Sequence, residues 1–454
     1  MNKIEDILKT SNSKNILFLG KIISLTPKEI KIFLEKRGLN FYQEYEEGKD
    51  YALVVLSSLL NPYEEELSYE LYNQGIKDVK LYEFEAYYIA NLNPNSLLMS
   101  IKLKKDTNRV KRLLSLNSLD NELYIKLFKL YNWGKDGLFD TDDNRDVTIS
   151  FIKRFLQRGK RSNHNEIVHS PASLFEIALT SQDEDILEAM LKFPKYEVRS
   201  RGKEEWKPRE LREFIATNPN INSNTVKFLL NLRDNRIDAL LALNSKINLY
   251  EQEAILNRAT NQAKINLTKN SNLDDKIFKI LLEGKIKEEL LKNQNITKER
   301  LNLIEAKDLI YLATNPNIGD IIDDIIFKNE DVDFALATNS ASNKKHLQSL
   351  YGRYSDKIAM PLSINQNTSK ELLNHFFCLN NWEITLNLAS NPNTPAEILD
   401  KLCQMDKREL NIKLASNESI SDEYLEIFKV DTTLLRELSK NKKFLKKMEN
   451  KPII

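Results

Sequence analysis

One four-residue pattern recurs through the second half of the chain: an apolar residue, a small residue, any residue, then asparagine. It reads IATN ending at Asn218, LALN at Asn244, LTKN at Asn270, LLKN at Asn293 and LATN at Asn315. It continues as LATN at Asn339, LSIN at Asn365, LASN at Asn391, LASN at Asn417 and LSKN at Asn441. The spacings run 26, 26, 23, 22, 24, 26, 26, 26 and 24 residues. Self-similarity at such a period marks stacked supersecondary units, none of which can bury its apolar face alone. Each unit reads as helix, stop, helix. In LASNPNTPAEILDKL, Asn391 ends a helix by tolerating the left-handed C-terminal conformation, and Pro392 cannot continue it. Thr394 then caps the next helix, with Pro395 at its first position and Glu397 completing a capping box; Thr368 and Glu371 repeat the arrangement. Helices of two or three turns are marginal alone and must stack, with the leucine of each signature facing the core between repeats. Two weaker echoes lie upstream, LSLN ending at Asn117 and IALT at Thr180.

Composition supports helix. Of 454 residues only 11 are glycine and 12 proline, whereas a large β-protein needs glycine for tight turns and a nucleotide-binding loop needs it beside phosphate. No run approaches the roughly 18 apolar residues of a membrane span. The opening MNKIEDILKTSNSKN lacks the apolar core of a signal peptide, so a cytoplasmic location is expected. Two cysteines, Cys378 and Cys403, cannot build a disulfide framework or a four-thiolate metal site, and read as reduced, core-filling thiols.

The pieces NPNTPAEIL and NPNI, with the recurring asparagine, resemble the leucine-rich repeat variant family, a bacterial α-solenoid with repeats of roughly 24 residues. The resemblance covers about 211–450 and implies a right-handed all-α solenoid, here of about ten two-helix repeats. Some members carry an N-terminal iron–sulfur cluster on clustered cysteines. This chain has no such cysteines, so no cofactor is expected.

Residues 15–90 follow another grammar. NILFLG, ending at Gly20, reads as a buried strand, and TPKEIKIFLEKRG, from Thr26 to Gly38, as a capped amphipathic helix. NFYQEYEE suggests an edge strand and DYALVVLSS, from Asp50 to Ser58, a central one. A second helix follows from Glu65, then a last strand and helix in KDVKLYEFEAYY. This βαββαβα order, with LG, TPKEI, RG, DYALVV, YNQGIKDVKL and YEF in sequence, resembles a BRCT domain over residues 12–90, with Phe84 as the aromatic of the last helix. Such domains bind partner proteins, phosphopeptides or DNA ends in replication and repair. Phosphate-binding members present Ser or Thr before the first-strand glycine and Lys at the second helix. Here Leu19 precedes Gly20 and that helix opens with Glu64, Glu65 and Glu66, so only Gly20 could be carried over, and a plain turn glycine is the simpler reading. Residues 1–90 hold 11 Lys+Arg against 15 Asp+Glu, a net −4 that favours a protein partner over a polyanion.

The intervening segment, 91–210, reads as helical with atypical or interrupted repeats and carries two basic stretches. Lys102, Lys104, Lys105, Arg109, Lys111 and Arg112 form the first; Lys153, Arg154, Arg158, Lys160 and Arg161 form the second. On one surface they could neutralise several phosphates of DNA or RNA, although solvated helix faces produce such runs routinely. A third basic group surrounds Trp206, diluted by Glu204, Glu205 and Glu210. The acidic loop DGLFDTDDNRD fails as a calcium loop, since position six from Asp140 is Arg145 and position twelve Phe151. His375 and Cys378 at i, i+3 read as core rather than as half a metal site. Phosphate-binding, hydrolase and zinc-protease motifs are missing, and His164 and His169 have no nucleophile arrangement around them. The expectation is a non-enzymatic scaffold binding a protein partner through the N-terminal domain and the repeat surface, without a membrane. The second reading is direct DNA or RNA binding through basic residues of the middle and repeat region, with a base-repair role attached.

Overall fold

The computed structural model describes residues 3–156, 171–199, 208–258 and 260–449. The chain divides into two compact units, Met1–Lys246 and Ile247–Ile454. Helix dominates both, and a small parallel sheet lies near the N-terminus.

The first unit opens with α1 (Lys3–Thr10), a helix the sequence reading did not anticipate. Then come β1 (Asn15–Leu19), α2 (Pro27–Glu35), β2 (Asn40–Tyr42), β3 (Leu53–Leu56), α3 (Pro62–Asn73), β4 (Asp78–Lys80) and α4 (Leu81–Ala90). From β1 onward this is the expected βαββαβα order. All pairings are parallel, in the order β2-β1-β3-β4, with Leu17 opposite Val54 and Val55 opposite Val79. A parallel sheet is covered on both faces, and this is why NILFL and LVVL are unbroken apolar runs rather than alternating ones. Ile16, Phe18, Leu53 and Val55 pack with Ile4 of α1, Ile30 and Phe33 of α2 and Phe84 of α4. Their neighbours Leu17, Leu19, Val54 and Leu56 face the other way, against Leu67 and Leu71 of α3. Each such side chain contributes about 1.5–3 kcal/mol on full burial. Phe84 is fully buried, its ring edge-on to Phe18 with centroids 4.9 Å apart.

Helices α5 (Pro94–Lys104), α6 (Thr107–Leu114), α7 (Asn121–Phe128) and α8 (Asp142–Phe155) follow. Phe128 of α7, Phe151 of α8, Trp133 and Phe193 form an aromatic core, with the Phe128 centroid 4.7 Å from Phe151 and 5.0 Å from Phe193. The unit continues through helices Pro171–Thr180 and Glu184–Met190, an antiparallel strand pair, Glu197–Arg199 with Pro208–Glu210, and helices Leu211–Thr217, Ser223–Asn231 and Asn235–Leu241. In the second unit short helices also come in pairs, and the first helix of each pair packs on the first helix of the next. Ala359–Ile364, for example, packs against both Glu330–Thr338 and Trp382–Ser390.

The recurring asparagines lock these pairs together. The side-chain amide of Asn391 donates to the carbonyls of Ser363 (2.9 Å) and Asn365 (3.0 Å), and its Oδ1 accepts from the N–H of Asn393 (2.9 Å). Asn417 does the same toward Ala389 and Asn391, Asn365 toward Ala337 and Asn339, and Asn339 toward Ala313 and Asn315. Asn441 continues the series onto Ala415 and Asn417. In the first unit Asn244 donates to Ala216 and Asn218, and Asn218 to Ala178 and Ser181, whereas the hydroxyl of Thr180 bonds Glu176 of its own helix and makes no rung. Asn270 is buried like the others. At Asn218, Asn270, Asn315, Asn339, Asn365, Asn391 and Asn417 the small residue two places before supplies a carbonyl to the next rung as well as room for close helix packing, while Asn315 bonds the carbonyl of the larger Leu291.

Three expectations need correction. Asn218, Asn339, Asn365, Asn391 and Asn417 are extended, with φ from −73° to −78° and ψ from 119° to 128°, rather than left-handed. Asparagine is placed there by its amide, which uses both donors and its acceptor, so a glycine could not substitute. Asn293 is not a rung: it lies inside helix Lys287–Asn293 and bonds Glu289 of its own helix, while Gln294 takes the rung and donates to Thr268 and Asn270. One extra methylene lets glutamine reach the same carbonyls from the next position. Finally, Thr394 and Thr368 are not helix caps. Their hydroxyls turn back to the carbonyls of Leu388 and Leu362, as Ser342 does to Leu336, and the caps are Pro395 and Ser369.

Candidate functional site

Two places in the first unit gather residues with binding chemistry. One is the turn after β1. Gly20 has φ +86°, and a Cβ there would stand 2.6 Å from the Leu59 carbonyl, so only glycine fits. Its N–H donates to Glu64 Oε1 at 3.0 Å, and the other carboxylate oxygen accepts from Asn61 N–H at 2.8 Å. Asn61 in turn accepts from Glu64 N–H, completing a capping box at the start of α3. The amide after the first strand and the first turn of α3 are therefore already engaged by an internal carboxylate. An incoming phosphate would meet the negative charge of Glu64 there.

The second place is a cleft of about 560 Å³ lined by Lys111 and Arg112 of α6, Asn117, and Ser150, Lys153 and Arg154 near the end of α8. Both basic stretches contribute to it, and three of its four cations, Lys111, Arg112 and Arg154, are committed to partners within the chain. Arg109 and Arg112 pair with Glu29 of α2, at 2.8 Å and 3.3 Å. Lys111 pairs with Asp143. Arg154 is folded over the Tyr124 ring and donates to the carbonyls of Leu119 (2.7 Å) and Leu116 (3.1 Å). That places it as a lock on the turn after α6, a role the sequence could not show. Burial would raise the Glu29 carboxyl, but hydrogen bonds from Thr26 and the Arg109 and Arg112 charges outweigh it and hold its pKa below the ordinary value. Lys102, Lys104 and Lys105 are exposed at the end of α5, and Lys153 is exposed at the rim of the cleft. Arg158, Lys160, Arg161, His164, His169 and Trp206 lie outside the described residues.

The remaining candidates are placed as follows. The acidic loop caps α8: Thr141 accepts from Asn144 N–H, and Asp140 accepts from Gly137 N–H at 2.6 Å. His375 does not pack in a core; it is exposed and contacts Asp356 at 2.8 Å. Cys403 is buried as expected, whereas Cys378 is exposed. Among the described residues no His, Cys, Asp and Glu cluster has metal-site geometry, and no helix is long and apolar enough to cross a membrane. The sequence reading missed the outer face of α3, where Tyr63, Tyr69 and Tyr72 are exposed. Its signal was available: Leu67 and Leu71 at i, i+4 define the buried side and leave these rings outside.

Compared with protein-family models, curated proteins and solved structures, the chain matches none.

Proposed function

We propose that this protein is a non-enzymatic interaction scaffold. A BRCT-like N-terminal domain recruits a protein partner, and a right-handed α-solenoid of leucine-rich repeat variant type presents an extended surface. The observation that carries the reading is the amide ladder, in which successive rungs join one helix pair to the preceding one. A chain built from nearest-neighbour contacts spreads its surface over many repeats rather than closing it around a pocket, an arrangement suited to holding a partner. The parallel sheet with Phe84 of the last helix packed on it supports the BRCT resemblance, and the Glu64 carboxylate on Gly20 favours partner recognition without phosphate. By analogy with such domains, the setting is DNA replication or repair.

Nucleic-acid binding through the basic stretches gains less support, because Arg109, Lys111, Arg112 and Arg154 are held by internal carboxylates and carbonyls. The test is affinity capture from a lysate of the source cells with the whole chain and with a chain lacking residues 1–90. A partner retained by the first and lost by the second is expected. If every partner survives the deletion, the recruiting role of the domain is wrong.

A further inference from the structure

One face of the N-terminal sheet is covered by α3, through Leu67 and Leu71, with Tyr42, Tyr45, Leu60 and Ile76 packed around them. The outer side of that helix carries Tyr63, Tyr69 and Tyr72, each between 61% and 66% exposed, interleaved with exposed Glu65, Glu66 and Glu70. Surface tyrosines scattered singly need no explanation, but Tyr69 and Tyr72 at i, i+3 share a helix side with Glu65 and Glu66, four and three residues before Tyr69, while Glu70 and Tyr63 lie toward the other edge of the exposed half. Among the described residues no Lys or Arg lies over these rings and none pairs with these glutamates. The same domain shows what such a surface accepts. Lys49 places its ammonium 4.1 Å from the centroid of the Tyr42 ring and pairs with Glu46, a cation held by one ring and one carboxylate together.

We infer that the outer face of α3 is the seat for a lysine- and arginine-rich segment of a partner protein, a deepening that rests on the recruiting role proposed above. Charge complementarity selects this occupant. The face carries three carboxylates without a counter-ion, and the domain around it is net negative, so a polyanion is repelled and a cationic segment is drawn in from a distance. The rings then bind what the charges attract. Guanidinium and ammonium groups stack on tyrosine faces, and an aromatic ring with few rotatable bonds loses little entropy when covered. Glu64 takes no part, since its carboxylate is occupied by Gly20 and Asn61.

The experiment uses the whole chain and a short fluorescent peptide of alternating arginine and serine, read by anisotropy at low salt. Alanine is a better helix former than tyrosine, so Y69A/Y72A keeps α3, as circular dichroism will verify. Binding to the natural chain is expected, weakened about tenfold in Y69A/Y72A, kept within about twofold in Y69F/Y72F, and lost in E65K/E66K/E70K. Raising the salt should weaken it steeply, because exposed charges are screened. No detectable binding, equal binding by all variants, or a preference for duplex DNA over the peptide would overturn the proposal. If deleting residues 1–90 abolishes capture of the natural partner while E65K/E66K/E70K retains it, the recruiting role stands and this face is not its seat.

Discussion

At the scale of single residues, the ladder asparagine is bound by two demands that no other side chain meets together. It must donate twice to carbonyls of the preceding pair and accept once from the backbone two residues on. Aspartate has the same shape but no donors, and its charge would point at two carbonyl oxygens. Asn391→Asp should therefore cost about 3–5 kcal/mol, the range for lost buried hydrogen bonds plus an unpaired buried charge. Ser390→Asp, one residue away and exposed, should cost under about 0.5 kcal/mol. Urea unfolding of the two variants, followed by circular dichroism, compares them directly, and equal midpoints would remove the ladder as a stabilising device. The sequence displayed these positions clearly through their period but not their purpose. A partner 26 residues earlier leaves no trace in one repeat, so helix-end conformation looked like sufficient reason for asparagine. The slip at Asn293 has the same origin, since only the hydrogen bonds show that Gln294 makes the rung.

At the scale of elements, capping decides where α2 begins and what it is tied to. Thr26 and Glu29 form a reciprocal box at its N-terminus, and the same Glu29 carboxylate pairs with Arg109 and Arg112 of α6. One carboxylate thus fixes a helix start and fastens the sheet domain to the next helices. Its depressed pKa sets the sign of the pH effect: this contribution is fully present above the unfolded carboxylate value and is lost as pH falls through the lower folded value. Stability measured from pH 7 down to about pH 3 should drop in the natural chain and drop less in Glu29→Gln, which has no charge to lose. If the two curves run parallel, the carboxylate is not coupled to folding. The box itself was legible from TPKEI, as was the strand–helix alternation, because capping and hydrophobic runs are local signals. The pairing with α6 was not, and Arg109 and Arg112 looked like free cations. Helix α1 went unread for a related reason. Its eight residues make a marginal helix alone, held through buried Ile4 on the sheet core and Lys3 on Glu83.

At the scale of the whole molecule, rungs that reach the adjacent pair predict that the stability of the stacked helix pairs is a sum of neighbour terms rather than the property of one core. In the second unit this has a spatial consequence. Asn339 joins helix Glu330–Thr338 to helix Leu309–Ala313 through the carbonyls of Ala313 and Asn315. Its own carbonyl accepts from Asn365, carrying the link forward by one repeat. Asn339→Ala should therefore raise amide hydrogen exchange in 309–364, where the broken rung and its two neighbours lie. Helices Arg408–Ser416 and Asp422–Val430, two or more rungs away, should keep their natural protection. A single cooperative core would instead lose protection in all of these helices together. Exchange followed by mass spectrometry separates the two outcomes, because the helices fall in different peptides. A graded loss centred on 339 would show that the recurring asparagine transmits order only from one pair to the next.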